Sequence, residues 1–140
     1  MPISVHVTQG LLTAQGEREV LPLLADALLR AHGLSDNRFM VPNVIGHVIV
    51  SPESRSYVGG KSQSLAVIEV KVPAATFPND EVKQAFVTAA TNIIDELSAD
   101  THSRERTFVN VTYAVDGTWG IGGKAYSNVE LGEAIQRNAA

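Results

Sequence analysis

The feature that most constrains the fold is an order of elements that the chain states twice. Residues 3–7, ISVHV, alternate apolar and polar side chains, and in LAVIEVKV, residues 65–72, Ala66, Ile68, Val70 and Val72 fall on one face. Alternation with a period of two marks a strand with one buried face. After the first strand, Val20, Leu21, Leu24, Ala27, Leu28 and Ala31 recur at helical spacing and stop before Gly33, a residue suited to ending a helix. After the second, Asn79 stands as an N-cap ahead of Asp80 and Glu81, which suit the positive end of the helix dipole. Val82, Phe86, Ala90, Ile93, Ile94 and Leu97 then form the apolar stripe. Pro22 lies within the first helical pattern, where its ring meets the carbonyl of Arg18, and it predicts a kink or a delayed helix start.

Each helix leads to another strand, HVIV at 47–50 and FVNVTY at 108–113, and then to a glycine-rich tip, YVGGKS at 57–62 and WGIGGKAYS at 119–127. Matching His47 to Phe108 offsets the halves by 61 positions, and matching Gly59, Gly60 and Lys61 to Gly122, Gly123 and Lys124 offsets them by 63. Two β-α-β halves, about 2–62 and 65–127, thus align with a small insertion inside one domain spanning 1–140. Two copies are too few for a solenoid, which needs about three. Right-handed crossovers make each strand pair parallel and put both helices on one face of a single sheet, an α/β fold. The other face carries Pro2, Ser4, His6, Leu65, Val67, Glu69, Lys71, Phe108, Asn110 and Thr112. That set is too polar for a dry core and in places too apolar for open water. A closed ring of subunits around such faces resolves the conflict, although the residues do not set the subunit number.

Composition narrows the function. The 140 residues suit one domain with a real core. A net charge of −4, from 11 basic and 15 acidic residues, offers no basic field for nucleic acid or an anionic membrane surface. Cysteine is absent, which excludes disulfides, thiol nucleophiles and thiolate metal sites. There is no basic leader and no run of ~18 apolar residues, so a cytoplasmic protein is expected. His6, His32, His47 and His102 lack metal-ligand spacing, and no metal or other cofactor is expected. GIGGK is followed by Ala125 where a phosphate loop needs Ser or Thr, so its glycines serve a hairpin instead. LGEAIQRNAA, at the end, reads as a short helix or a frayed tail.

Pro2 at the head of a strand, the two β-α-β halves and the WGIGGK hairpin together resemble the tautomerase superfamily, which includes 4-oxalocrotonate tautomerase and macrophage migration inhibitory factor (MIF). The likeness concentrates in PISVHVTQG at 2–10, SPESRSYVGG at 51–60 and FVNVTYAVDGTWGIGGK at 108–124. It implies a homotrimer with helices outside and sheets inside, and a pocket around each N-terminal proline completed by a neighbour. It also implies keto–enol tautomerisation of a small 2-oxo or unsaturated acid, of phenylpyruvate type, without a cofactor. The alternatives are a proline-dependent decarboxylase or hydratase, or a non-catalytic MIF-like binding trimer.

Removing a methionine that precedes a small residue frees the ring nitrogen of Pro2 as a secondary amine. An α-amino group titrates near ~8 in water, and an apolar pocket with cationic neighbours lowers that value towards working pH. A base so tuned speeds proton transfer by ~10²–10⁴-fold. On residues alone, Pro2 is first of all a small second residue that merely permits methionine removal. The resemblance makes Pro2 the general base.

The resemblance also gives the substrate pocket. Asn110 takes the position of a pocket asparagine supplied by a neighbouring subunit, and Trp119 that of an aromatic wall. Phe108 stands where relatives carry an arginine or tyrosine, and Pro73, with Val72, falls at a pocket-lining strand end. The usual arginines are missing: Leu11 or Leu12 occupies one position and Phe108 another. Lys61, Lys71, Lys124 and Arg38 are the cations available to replace them, each equally a solvated surface charge. The arginine pair of the related hydrolytic dehalogenases is absent, which disfavours that reaction.

Overall fold

The computed structural model describes residues 1–100 and 102–139. β1 (Pro2–Thr8) leads through α1 (Ala14–Ala31) to β2 (Ile45–Ser51) and a small hairpin, β3 (Tyr57–Val58) with β4 (Lys61–Ser62). The same order recurs as β5 (Ala66–Pro73), α2 (Asp80–Leu97), β6 (Thr107–Ala114) and the hairpin of β7 (Trp119–Ile121) and β8 (Lys124–Tyr126), followed by a third helix, α3 (Asn128–Arg137). The main sheet has the order β2-β1-β5-β6. Strands are parallel within each unit and antiparallel where β1 meets β5.

That antiparallel seam decides where everything else lies. The first unit runs away from Pro2 and leaves its hairpin at the far end of the sheet. The second unit runs back and brings its hairpin to the Pro2 end.

The helices form where the apolar stripes place them, and tertiary packing fixes their ends. The Thr13 side chain accepts from the Gly16 N–H at 2.8 Å, so α1 starts well before the first residue of its apolar stripe. The expected delay at Pro22 is therefore not found: the helix is continuous through it. Pro22 is exposed, and the packing of the first turn against α2 offsets the lost backbone hydrogen bond. That packing is close, since a Cβ at Gly16 would lie 2.8 Å from the Leu97 carbonyl oxygen. Asn79 caps α2, accepting from the Val82 N–H at 2.9 Å.

Ile3, Val5, Ile68, Val70 and Val72 of the sheet meet Val20, Leu24 and Leu28 of α1 and Phe86, Ala90 and Ile94 of α2, all essentially excluded from solvent. Each large apolar side chain so buried contributes roughly 1.5–3 kcal/mol. At Gly46 a Cβ would fall 2.2 Å from the Ile3 carbonyl oxygen, so only glycine lets β2 lie this close to β1.

The C-terminal fragment is a helix, and it begins at Asn128, ahead of the expected LGEAIQRNAA; Ala140 lies outside the described residues. A capping box starts it: Ser127 and Glu130 satisfy each other's backbone N–H groups. Buried Leu131 and Ala134 anchor its inner face. Asn37, 5% exposed, ties it to the loop after α1. The Asn37 Nδ2 donates to the Ile135 carbonyl at 2.9 Å, while its Oδ1 accepts from the Met40 N–H at 2.9 Å and the Phe39 N–H at 3.2 Å.

Candidate active site

The sheet face away from α1 and α2 is a grid set by strand register. Pro2 pairs with Ile45, and continuing the β1–β5 register by one step sets Pro2 opposite Lys71, which in turn pairs with Thr112. The next row is His47, Ser4, Glu69 and Asn110, and the next Ile49, His6, Val67 and Phe108.

At the Pro2 end of this grid lies a cavity of about 550 Å³. Its floor is Pro2 and Lys71; Asn43 and Ile45 form one side, and Ala114, Thr118, Trp119, Gly120, Ile121 and Gly122 the other, with Met1 also in the lining. A second depression of about 350 Å³, lined by Pro2, Ser4, Glu69, Val70, Lys71 and Thr112, continues from it across the sheet face. Pro2 and Lys71 belong to both. Trp119 is half-buried and packs on the hydrophobic core, which fixes the wall it forms.

An amine in this corner of the molecule is stripped of water. Burial lowers the amine of Met1 from its ordinary 8.0 to about 6, because the charged form loses hydration. That amine donates to the Asn43 carbonyl.

The expected site residues separate into those the fold gathers and those it disperses. Pro2, Lys71 and Trp119 converge on the cavity. Pro73 does not reach its lining, because it is buried opposite Ala114. Asn110 and Phe108 stand one and two rows away on the open face, Phe108 42% exposed, so within one chain neither meets its own Pro2. Lys61 sits on the β3–β4 hairpin at the opposite end of the sheet. Arg38 lies in the loop after α1, its backbone N–H bonded to the Asn138 carbonyl at 3.2 Å. Lys124 is engaged elsewhere, its Nζ 3.1 Å from a Glu130 carboxylate oxygen and 4.6 Å above the Tyr126 ring. Among the described residues, Lys71 is the one cation of these four in the cavity lining.

Sequence reasoning missed Asn43, Ile45, Ala114 and Thr118. Ile45 enters through the parallel β1–β2 pairing, and Thr118 through the turn before β7. The histidines are dispersed: the His6 Nε2 is 4.0 Å from a Glu69 oxygen, His32 ties α1 to the Phe77 N–H at 3.2 Å, and His102 meets the Thr107 hydroxyl at 2.8 Å. Among the described residues no group of three His, Asp or Glu side chains is placed to hold a metal ion, and no helix is long and apolar enough to cross a membrane.

With Met1 attached the Pro2 nitrogen is an amide; were that bond hydrolysed, the cavity would hold a secondary amine near the Lys71 ammonium and the Trp119 indole. No family model and no curated protein matches the chain. Solved structures do. The Q0 fused 4-OT, a wild-type symmetric trimer, shares 18% identity over 94% of this chain and 99% of that chain, with a TM-score of 0.76. FG41 malonate semialdehyde decarboxylase inhibited by 3-bromopropiolate shares 17% over 87% and 89%, at 0.66. The macrophage migration inhibitory factor of Toxoplasma gondii shares 13% over 90% and 100%, at 0.69. At these identities the likeness is one of fold, and the fold of this chain is that of the tautomerase superfamily.

Proposed function

We propose that the chain is a cofactor-independent keto–enol tautomerase of a small 2-oxo or unsaturated acid of phenylpyruvate type, with the Pro2 amine as its general base. The observation that carries this reading is the shared position of Pro2 and Lys71 on the floor of one cavity beneath Trp119. Hydrolysis of the Met1–Pro2 peptide bond frees the amine. The Lys71 ammonium pairs with the substrate carboxylate and favours the enolate that develops beside it. The neutral amine removes a proton from the carbon next to the oxo group, and the resulting ammonium returns a proton to the enolate oxygen. Run backwards, the same two transfers take the enol to the ketone. An apolar wall and a nearby cation both disfavour the charged form of an amine placed there.

In this reading the chain works as a cytoplasmic homotrimer. Ile45 is 58% exposed, and Ile49 and Phe108 are each 42% exposed on the sheet face. Covering them with neighbouring copies removes apolar surface from water and brings a neighbour's Asn110 and Phe108 towards each pocket.

The test is Pro2→Ala, which still permits methionine removal. Conversion of enol to keto phenylpyruvate should be lost while the circular dichroism spectrum stays unchanged, and unaltered turnover would sink the assignment. The fold likeness to a malonate semialdehyde decarboxylase supports a second reading, a proline-dependent decarboxylase or hydratase. Release of CO₂ or gain of water in the product identifies it. That the lining holds a single cation supports a third, a non-catalytic binding trimer. Saturable ligand binding with no turnover of any substrate tested identifies that one.

A further inference from the structure

The first residue is built into the site. Met1 is 4% exposed, belongs to the hydrophobic core and lines the Pro2 cavity. Its backbone extends the β1–β2 ladder by one residue: its amine donates to the Asn43 carbonyl, and the Ile45 N–H donates to its carbonyl at 3.2 Å. Asn43 and Ile45 line the same cavity. Other contacts hold both. The Asn43 Nδ2 donates to the Phe39 carbonyl at 2.8 Å and its backbone N–H to the Met40 carbonyl at 2.9 Å, while the strand that carries Ile45 stays paired with β1 from Ile3 and Gly46 onwards.

We propose that removal of Met1 converts the Ile45 N–H into a backbone seat that shares the substrate carboxylate with Lys71 across Pro2. The inference rests on the tautomerase reading and deepens it. In the unprocessed chain the Pro2 nitrogen is an amide, and the methionine side chain fills the space beside it. Hydrolysis breaks the Met1–Pro2 C–N bond; water gives its hydroxyl to the Met1 carbonyl carbon and a proton to the Pro2 nitrogen. Methionine leaves as the free amino acid. One donor, the Ile45 N–H, and one acceptor, the Asn43 carbonyl, then face the cavity without their former partners. A carboxylate satisfies the first, with Lys71 neutralising its charge across the proline ring, and an enol hydroxyl satisfies the second. Unpaired backbone groups in a cavity wall favour a ligand that pairs them.

The experiment compares two forms of the full chain, distinguished by intact mass: one processed, the other made with methionine aminopeptidase inhibited. Phenylacetate, a carboxylate without an oxo group to react, is the probe, and the ¹⁵N amide resonance of Ile45 is the readout. In the processed form that resonance should move downfield and saturate. In the Met1-retaining form it should not respond, and binding should be weaker by at least about ten-fold, since both the seat and its space are taken. The dispersed amide spectrum of each form checks that it is folded. Equal affinity in the two forms, or saturation with the Ile45 resonance unmoved, overturns the proposal. Processed Pro2→Ala separates the two readings: it keeps the Ile45 response whatever its turnover, whereas retained turnover with that response intact defeats the base assignment alone.

Discussion

The two ends of the sheet are built from the same parts and come out differently. Under the offset of 63 that aligns the glycine tips, Leu65 is the counterpart of Pro2, and the β3–β4 hairpin is the counterpart of β7–β8. The Leu65 end has a cavity of its own, about 340 Å³, lined in part by His6, Arg55 and Tyr57. There, however, the chain is sewn shut. The Leu65 N–H donates to the Thr8 hydroxyl at 3.0 Å, and the Thr8 N–H and hydroxyl donate to the Leu65 carbonyl at 3.1 and 3.3 Å. At the other end, removal of one residue leaves an amine facing a lysine.

The hairpins diverge for a related reason. The side chains around β3–β4 bond locally, the Tyr57 hydroxyl to the Ser54 carbonyl and the Ser62 hydroxyl to the Glu53 carbonyl. β7–β8 is braced from outside: Lys124 pairs with Glu130 of α3, and the Tyr126 ring lies 6.0 Å from that of Phe39. Duplication supplies two similar ends, and α3 braces the hairpin at the Pro2 end.

The comparison can be broken most sharply at its two counterpart positions. Pro2→Ala should lower phenylpyruvate turnover by about 10²–10⁴-fold, the usual worth of a positioned base, whereas Leu65→Ala should leave the rate constant within a few-fold, both followed by ultraviolet absorbance of the enol. A comparable loss in Leu65→Ala would mean that the two ends are functionally alike. Next in size is Thr8→Val, which keeps the shape of a side chain 2% exposed but leaves the Leu65 N–H without an acceptor. Chemical denaturation should show a loss of about 1–3 kcal/mol, with the Pro2-end activity per folded molecule unchanged.

A pH effect should mark the Pro2 end. Burial holds the Met1 amine at about 6, below its ordinary 8.0, so between these values the unfolded chain binds more protons than the folded one. Stability of the Met1-retaining form should therefore rise from pH 6 to pH 8 and be lost as pH falls through that window. Thermal melts of that form across the window would detect the rise. The smallest effect is expected for Glu130→Gln. The Glu130 carboxyl is held below its ordinary range by the Ser127 N–H and by Lys124, and its loss slackens the brace behind β7–β8. KM should rise modestly with kcat little changed; an equal loss in both would assign Glu130 a part in the chemistry.

Much of this was legible along the chain. ISVHV and LAVIEVKV carried the period of two, the α1 and α2 stripes carried the helical period, and WGIGGK marked a hairpin whose Gly122 and Gly123 have φ of +58 and +84°. These are local signals, set by neighbours within a few residues. Pro22 misled about where α1 starts because its cost is local, while the packing of Gly16 on Leu97 that offsets it is not.

The sequence by itself determined the repeated β-α-β order, the core stripes, the sheet-face set that contains Pro2 and Lys71, and the absence of thiol chemistry. Only the tertiary structure decided that Lys71, rather than Lys61, Lys124 or Arg38, faces Pro2. It also decided that the second hairpin closes over the first strand, and that Met1 sits within the site. The reason is physical: each depends on the β1–β5 and β1–β2 registers and on the docking of α3, contacts between residues tens of positions apart. Side-chain periodicity tells which face a residue takes, but not which residue of another strand it will meet.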